Sequence, residues 1–297
     1  MDNNIKSTMN MYARAVEDNL KKYTQANMED LPQKTLLDAM KYSLEAPGKR
    51  IRPVLVYEFC RVCGGKQEDA AAAACAIEML HTFSLIHDDL PAMDDDDFRR
   101  GRPSCHKAFT QAAAVLAGDE LAILPFQIIA QDERLSSDKK VALIADLSSS
   151  AGIYGMIGGQ MIDVENETRT DIDVDNLTYM CSLKTGALIS TSCVMGCICA
   201  GADKKKADLA RQYAGKLGLA FQIVDDILDV TSTTEELGKP VGSDEEQNKT
   251  TFVTLLGIEK ARHMADRLTS EALEILNNFD NNEFLIKLTN ELLTRRY

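Results

Sequence analysis

The sequence predicts an all-α protein, and three observations support this. Apolar residues recur at spacings of three and four in several long segments, as at Leu209, Tyr213 and Leu217, which places them on one face of a helix. No convincing run alternates apolar and polar residues in the way that a half-buried strand would. Glycine and proline are sparse and stand mainly where the helical segments break, as at Pro47-Gly48 and Gly64-Gly65.

The helical segments follow one another without a Gly/Ser linker or a low-complexity stretch. The main segments are residues 70–90, 112–130, 185–202, 204–230, 261–276 and 283–293. Pro125 should kink or break the second of these, because proline has no backbone N–H to donate within a helix. We therefore predict one domain over residues 1–297, built from roughly ten or more helices.

The net charge argues against two kinds of partner. The formal charge is −13, whereas nucleic-acid binding depends on basic surfaces. The same charge opposes an anionic membrane surface. Residues 185–202 carry no charge and approach the ~20 residues of a membrane span, but their serines, threonines and glycines favour a helix buried in the bundle. We expect no nucleic-acid partner and no stable membrane anchoring.

The N-terminal residues and the cysteines indicate a cytoplasmic protein. Residues 1–23 are amphipathic and of mixed charge, with no apolar signal region. All eight cysteines are then expected to be reduced. Cys60 and Cys63 form a single C-x-x-C without a second pair, which is weak evidence for zinc.

Two aspartate clusters carry most of the chemical information. The first lies in residues 88–97 and the second in residues 225–229, and each follows an apolar helical stretch. Carboxylates repel one another, so this density beside a core is costly unless a cation neutralises it. Oxygen-only ligands suit Mg²⁺, which typically takes one or two carboxylates and completes its shell with substrate phosphates. Two clusters facing each other would therefore hold a diphosphate through several metal ions.

The local geometry of the two clusters differs. Asp225 and Asp229 are four residues apart, which puts both carboxylates on one helix face. In the first cluster Pro91 disfavours helix at the residue before it. The chain should therefore bend after Asp88 and Asp89, and a turn should bring Asp94 back towards them.

Basic residues accompany both clusters in this otherwise acidic chain. Arginine offers paired donors to phosphate oxygens and lysine offers a compact positive charge. Any one of these residues is more often a solvated charge, but together they indicate a phosphate site. They are Lys49, Arg50, Arg52, Arg99, Arg100, Arg102, Lys184, Lys239 and Lys249.

These motifs together resemble the trans-isoprenyl diphosphate synthase family, and in particular its bacterial farnesyl diphosphate synthase type. Residues 80–96 match the first aspartate-rich motif of that family, including a two-residue insertion. Gly158-Gly159-Gln160, Lys184-Thr185 and residues 221–229 also match, in family order. The resemblance extends from Pro47 to Arg262. It implies a single polyprenyl synthetase domain whose helices surround a central cavity.

The resemblance also implies a reaction and its cofactor. The reaction is head-to-tail condensation of isopentenyl diphosphate with dimethylallyl or geranyl diphosphate to give (E,E)-farnesyl diphosphate. The metal ligands would be Asp88, Asp94, Asp225 and Asp229. They would hold about three Mg²⁺ ions per active site, with Mn²⁺ as a substitute. A homodimer is the expected assembly.

The remaining site residues take their roles from the same resemblance. Besides the metal ligands, the catalytic set contains Asp89, Lys184 and Asp226. The allylic diphosphate would be surrounded by Arg99, Lys184, Thr185, Gln222, Lys239 and Lys249. The isopentenyl diphosphate would be held by Gly48, Lys49, Arg52, His81 and Arg100. The leaving diphosphate is expected to accept the proton, so no side chain is nominated as the base.

Two residues before Asp88 are candidates for setting product length. Ser84 lies one turn earlier on nearly the same face and leaves room for the growing chain. Phe83 can close the pocket about one turn further down, each turn being about 5.4 Å. An aromatic residue there resembles enzymes that stop at fifteen carbons, so Phe83→Ala should lengthen the product. Ordinary core packing is the alternative interpretation of Phe83.

Four other functions remain open at this stage. A geranylgeranyl or geranyl diphosphate synthase would use the same chemistry with a different pocket depth. A terpene cyclase has no second diphosphate substrate and so no need for Lys49, Arg52 and Arg100. A non-catalytic subunit of a heteromeric prenyltransferase would be expected to lose acids from one cluster. A plain acidic metal-binding bundle would not explain the arginines.

Overall fold

The computed structural model describes residues 3–24, 32–231 and 249–293, and in them the predicted all-α fold is confirmed. The first half contains α1 (Asn3–Thr24), α2 (Lys34–Leu44), α3 (Ile51–Val62), α4 (Ala71–Asp88), α5 (Cys105–Ala108), α6 (Gln111–Gln131) and α7 (Ser137–Ala151). The second half contains α8 (Met156–Asn166), α9 (Val174–Cys181), α10 (Ala187–Ala200), α11 (Lys204–Thr231), α12 (Phe252–Leu256), α13 (Ile258–Leu276) and α14 (Glu283–Leu293).

Three short elements complete the described chain. Gln67–Ala70 forms a 3₁₀ turn and Ser182–Gly186 forms a π-helical turn directly before α10. The strands β1 (Phe98–Arg99) and β2 (Arg102–Pro103) pair in antiparallel register, with Arg99 opposite Arg102. This hairpin turns through Arg100 and Gly101, whose φ angles are 54° and 74°. Two-residue strands are too short to produce a periodic pattern, which is why the sequence did not indicate them.

The chain divides into two compact units. The first unit takes in the residues up to Ala145 together with Met195–Gly201, and the second takes in Asp146–Val194 and the residues from Ala202 onwards. In the first unit α4 packs against α3 and α6. In the second unit α11 packs against α13 and α14. The expectation of one domain over residues 1–297 stays a prediction.

The structure corrects one detail of the sequence analysis and confirms another. Helix α6 runs through Pro125, so of the expected kink or break the break is wrong. Pro125 is buried, and packing keeps the helix together although one backbone hydrogen bond is lost. The uncharged segment that ends at Ala202 is a buried helix, as expected: Cys193, Met195 and Cys197 on α10 are fully buried.

Several helical stretches of the described chain are long and apolar enough to cross a membrane, by length and composition alone. They are Gln67–Asp88, Gln111–Gln131, Ser137–Asn166 and Val174–Ala200. Between 28% and 72% of the most apolar window in each is buried inside the protein. The absence of membrane anchoring therefore stays a prediction.

Candidate active site

The first aspartate motif forms a turn at the end of α4. The helix ends at Asp88, and the backbone N–H of Asp94 donates to the Asp88 carbonyl at 2.9 Å. Within the turn, Met93 N–H donates to the Leu90 carbonyl at 2.8 Å. This geometry agrees with the turn predicted from Pro91. Asp88 and Asp94 are both partly exposed, so their carboxylates remain accessible.

Asp89 differs from its neighbours because it is buried. Its carboxylate accepts hydrogen bonds from Arg99 Nε at 2.8 Å and from the Arg99 terminal nitrogen at 2.5 Å. Arg99 also contacts Asp96 at 3.0 Å. Burial raises the pKa of Asp89, while the Arg99 guanidinium opposes that rise. Arg99, expected to bind the allylic diphosphate, therefore ties β1 to the aspartate turn in this structure.

A second group of predicted residues meets around His81 in the first unit. We call Arg52, His81 and Arg100 the arginine–histidine cluster. The Arg100 guanidinium lies 3.5 Å from His81 Nε2. A Cβ placed on Gly48 would lie 2.9 Å from an Arg100 nitrogen, so the guanidinium packs directly against the Gly48 backbone. Lys49 follows Gly48 and is exposed just before α3.

The electrostatics of this cluster favour an anion. Burial and the neighbouring arginines hold the pKa of His81 well below its usual value, so the ring is neutral. Burial lowers the pKa of Arg52 to about 10, with Arg100 lowering it further and Glu78 opposing both effects. The buried Nε of Arg52 has no hydrogen-bond partner among the described residues. Concentrated positive charge with an unused donor is the chemistry of a phosphate site.

The two candidate chain-length residues lie one turn above the aspartate motif. Phe83 is buried, and its ring meets the His87 imidazole edge-on with centroids 4.9 Å apart. His87 in turn has Nε2 at 3.0 Å from the Val115 carbonyl on α6. Ser84 is partly exposed and donates to the His81 carbonyl at 2.9 Å.

The second unit contains a cavity of about 150 Å³ that brings together five of the predicted site residues. They are Lys184, Thr185, Gln222, Asp226 and Lys249. Asp163 and Asn166 of α8, and Glu167 directly after it, add polar atoms to the same cavity, which we call the Lys184 pocket. Lysine, threonine and glutamine side chains are all able to donate hydrogen bonds to phosphate oxygens.

Lys184 is held in this pocket by a residue that the sequence analysis did not single out. Its Nζ lies 2.5 Å from an Asp163 oxygen, and both side chains are largely buried. Gly159 permits this arrangement, because a Cβ there would lie 2.3 Å from the Lys184 backbone nitrogen. One sequence feature could have pointed to Asp163. It lies four residues after Gly159, and that spacing puts both residues on one face of α8.

The second aspartate motif separates into two kinds of carboxylate. Asp226 is buried and accepts from the Phe252 backbone N–H at 2.8 Å and from Gln222 Nε2 at 2.9 Å. It therefore ties α11 to the segment that carries Lys249. Asp225 and Asp229 share another face of α11; Asp225 is partly exposed and Asp229 is buried.

The donor chemistry fits a hard cation. Asp88, Asp94, Asp225 and Asp229 offer only oxygen ligands, as Mg²⁺ prefers. Among the described residues no three His, Cys, Asp or Glu side chains are arranged to hold a metal by themselves. Mg²⁺ ions that take one or two of these carboxylates each and complete their shell with diphosphate oxygens stay a prediction. Lys239 lies outside the described residues, and the pairing of the two motifs stays a prediction.

The comparisons with known proteins agree on one family. The sequence model of the polyprenyl synthetase family matches residues 33–292. The chain is 45% identical over 244 residues to a chloroplastic geranylgeranyl pyrophosphate synthase of Capsicum annuum, covering 82% of this chain and 66% of that protein. It is 43% identical over 268 residues to a dimethylallyltranstransferase of Fischerella ambigua (strain UTEX 1903), covering 90% and 77%.

Solved structures give the same answer for the whole fold. A crystal structure of an FPP/GFPP synthase from Zymomonas mobilis superposes with a TM-score of 0.88 at 35% identity, covering 99% of this chain and 100% of that one. A geranyltransferase from Legionella pneumophila gives 0.87 at 32% identity, with 98% and 96% covered. With a family match over most of its length and relatives above 40% identity, the chain belongs to the polyprenyl synthetase family.

Proposed function

We propose that the protein is a Mg²⁺-dependent prenyltransferase that condenses isopentenyl diphosphate with an allylic diphosphate. The observation that carries this proposal is the arginine–histidine cluster. Arg52 and Arg100 crowd a neutral His81, with Arg50 and Arg99 adding positive charge. Such a concentration of like charge is costly in the free protein and is relieved when a dianionic or trianionic group binds. A terpene cyclase or a plain metal-binding bundle has no use for it.

The Lys184 pocket supports a second diphosphate subsite. Lys184, Thr185, Gln222 and Lys249 surround it with donors. We assign the allylic diphosphate to these residues and to the carboxylates Asp88, Asp94, Asp225 and Asp229 through Mg²⁺. When bound, Mg²⁺ would offset the negative charge that develops on the departing diphosphate. Lys184 and Lys249 add fixed positive charge to the same oxygens.

The remaining steps follow from charge and solvent exclusion. Loss of the diphosphate leaves an allylic cation, and the double bond of isopentenyl diphosphate attacks it. The attack forms the new C–C bond and moves the positive charge to the isopentenyl unit. That unit then loses a proton from the carbon beside the cation to form a new double bond, and the leaving diphosphate is the proposed acceptor. Arg52 and Arg100 orient the isopentenyl diphosphate, and a neutral His81 adds a hydrogen bond without further charge. An apolar chain pocket keeps water from the cation.

Product length is the finer part of the proposal. A buried aromatic ring at Phe83 favours a farnesyl product, because it limits the depth available below Asp88. The names of curated relatives favour a second candidate, a geranylgeranyl product. We rank the farnesyl product first because it depends on a residue of this chain. A cytoplasmic homodimer, formed through exposed apolar side chains such as Leu116 and Ile123 on α6, completes the proposal.

One incubation tests the reaction and the product length together. The purified protein is supplied with isopentenyl diphosphate, Mg²⁺ and dimethylallyl, geranyl or farnesyl diphosphate in turn, and products are resolved by chain length. A fifteen-carbon product from the first two primers, with farnesyl diphosphate unused, supports the proposal. A twenty-carbon product replaces the farnesyl assignment. No turnover with any primer contradicts the enzyme assignment and favours a non-catalytic subunit.

A further inference from the structure

The segment before α3 is held by a buried ion pair that the proposed reaction does not use. Arg50 is fully buried, and its terminal nitrogen lies 2.7 Å from an oxygen of Glu78 on α4. Glu78 is itself buried. Neither residue is among the proposed substrate ligands. A buried ion pair is weak evidence for stability, because desolvation offsets most of its attraction, so its presence here points to another role.

Arg50 also fixes the backbone that precedes it. Its second terminal nitrogen donates to the Leu44 carbonyl at 2.7 Å and to the Ala46 carbonyl at 3.0 Å. These carbonyls lie at the end of α2. Arg50 itself has a φ of 50°, a left-handed conformation that an arginine adopts only when its surroundings impose it. The side chain thus holds the turn that leads from α2 into α3.

This turn determines where the diphosphate donors stand. Gly48 is packed against the Arg100 guanidinium, Lys49 directly precedes Arg50, and Arg52 follows Arg50 by two residues. A change in the turn would move all three at once. Glu78 also opposes the like-charge repulsion within the arginine–histidine cluster, since its carboxylate favours the charged forms of Arg52 and Arg100.

We propose that Glu78, acting through Arg50, is a positioning residue for the isopentenyl diphosphate subsite. The carboxylate keeps the turn at Arg50 in its left-handed form and keeps the neighbouring guanidinium groups aimed at one anion. Glu78 does not touch the substrate. The inference rests on the proposed function for the identity of the anion, but its geometry concerns any diphosphate that the cluster binds.

Glu78→Gln keeps the size of the side chain and removes its charge. We expect the KM for isopentenyl diphosphate to rise about tenfold, which corresponds to about 1.4 kcal/mol. The KM for the allylic substrate should stay within about twofold, because the Lys184 pocket does not include this residue. Arg50→Lys is the second variant; it keeps the charge, loses the paired backbone bonds and should show the same selective rise.

Glu58→Gln is the matched control. Glu58 is a fully buried carboxylate of the same unit, bonded to Tyr12 at 2.6 Å and to Arg61 at 2.7 Å. Its loss should lower the melting temperature without changing the KM for isopentenyl diphosphate. Equal KM changes in Glu78→Gln and Glu58→Gln, or no change in either, would overturn the positioning role.

A binding measurement separates this inference from the proposed reaction. Inorganic pyrophosphate is titrated calorimetrically into each variant in buffer containing EDTA, so that metal-dependent binding at the aspartates is suppressed. Glu78→Gln should bind it about tenfold more weakly than the parent and Glu58→Gln equally well. If the parent shows no turnover but this difference persists, the reaction is wrong and the positioning role stands. If the parent turns over but Glu78→Gln binds pyrophosphate as well as the parent does, the proposed reaction stands and the positioning role is wrong.

Discussion

The ring of Phe83 meets the imidazole of His87 edge-on, with the two planes at 78° and the centroids 4.9 Å apart. His87 in turn lies against Gly118 and the Val115 carbonyl of α6. Phe83 is therefore held in a fixed position rather than filling space loosely, as a residue that limits a pocket must be.

Removing this ring should lengthen the product. Phe83→Ala opens space beside Ser84, just over one turn before Asp88, so the main product should shift from fifteen carbons to twenty or more. The variant should also lose about 3–5 kcal/mol of stability, because a buried aromatic side chain is deleted. Product chromatography after incubation with isopentenyl and geranyl diphosphates measures the shift.

Phe109→Ala provides the comparison for that experiment. Phe109 is partly buried in the same unit and makes a similar edge contact with Tyr42 at 5.6 Å. It should leave the product length as it was. If Phe83→Ala makes the same product as the parent, Phe83 is an ordinary core residue. Another residue must then set the product length.

The ion pair between Lys184 and Asp163 should be functionally coupled. Lys184→Gln removes a positive charge from the Lys184 pocket and should lower kcat/KM for the allylic substrate about 10- to 100-fold, since a charge-assisted hydrogen bond contributes about 1.5–3 kcal/mol. Asp163→Asn should lower it less, because the lysine keeps its charge but loses its orientation. Steady-state kinetics on both single variants and the double variant give the coupling. Additive effects would show that the two residues act independently.

Asp225 and Asp226 should respond oppositely although they are adjacent. Asp226→Ala leaves the buried Phe252 N–H without an acceptor and should cost about 1–3 kcal/mol of folding stability. Asp225→Asn should lower turnover strongly with little effect on the melting temperature, because its partly exposed carboxylate is a proposed metal ligand. Thermal unfolding and turnover are measured on both proteins. A large melting shift in Asp225→Asn without loss of turnover would reverse the two assignments.

His81 should make stability depend on pH in mildly acidic solution. Its pKa in the folded protein lies well below the unfolded value, chiefly through burial and then through the neighbouring arginines. Between the folded and unfolded pKa values, the unfolded chain takes up a proton at His81 and the folded protein does not. Stability is therefore fully present above about pH 6.5 and falls as the pH drops below it.

Denaturant unfolding at a series of pH values, compared between the parent and His81→Gln, measures this contribution. The difference between the two curves should vanish above about pH 7 and widen on acidification, with the variant losing less stability. Parallel curves from neutral to mildly acidic pH would mean that His81 is protonated in the folded protein. The neutral hydrogen-bonding role assigned to it would then be wrong.

The outward face of α6 should mediate the proposed dimer. Leu116 and Ile123 are seven residues apart on one face of this helix and are 55% and 62% exposed. Ile123→Glu should shift the sedimentation-derived mass from dimer to monomer, because a buried unpaired carboxylate is costly. Gln131→Glu, at the exposed end of the same helix, should not. If the parent protein sediments as a monomer, the proposed dimer is wrong.

Local sequence patterns determined most of what was predicted correctly. Spacings of three and four at Leu209, Tyr213 and Leu217 predicted one face of α11, because helix geometry alone sets which residues share a side. Tyr213 and Leu217 are buried there and Leu209 is partly buried. Pro91 likewise specified the turn that returns Asp94 to Asp88, since the restriction on the preceding residue is local. The aspartates of the two clusters and the basic residues beside them also indicated hard-metal and phosphate chemistry.

Tertiary structure decided the roles that depend on neighbours far along the chain. Asp225 and Asp226 are chemically identical in sequence, but only Asp226 is buried against the backbone of Phe252. Pro125 should end a helix by its own preference, yet surrounding packing keeps α6 continuous. Glu78 gives no sequence signal, and Asp163 gives only its spacing from Gly159, because an ion pair is defined by distance in space. Burial, ion pairing and the resulting pKa shifts arise from contacts that no local pattern encodes. The sequence therefore predicted many of the site residues, but it did not predict Asp163 or Glu78, nor which aspartates are structural and which are accessible.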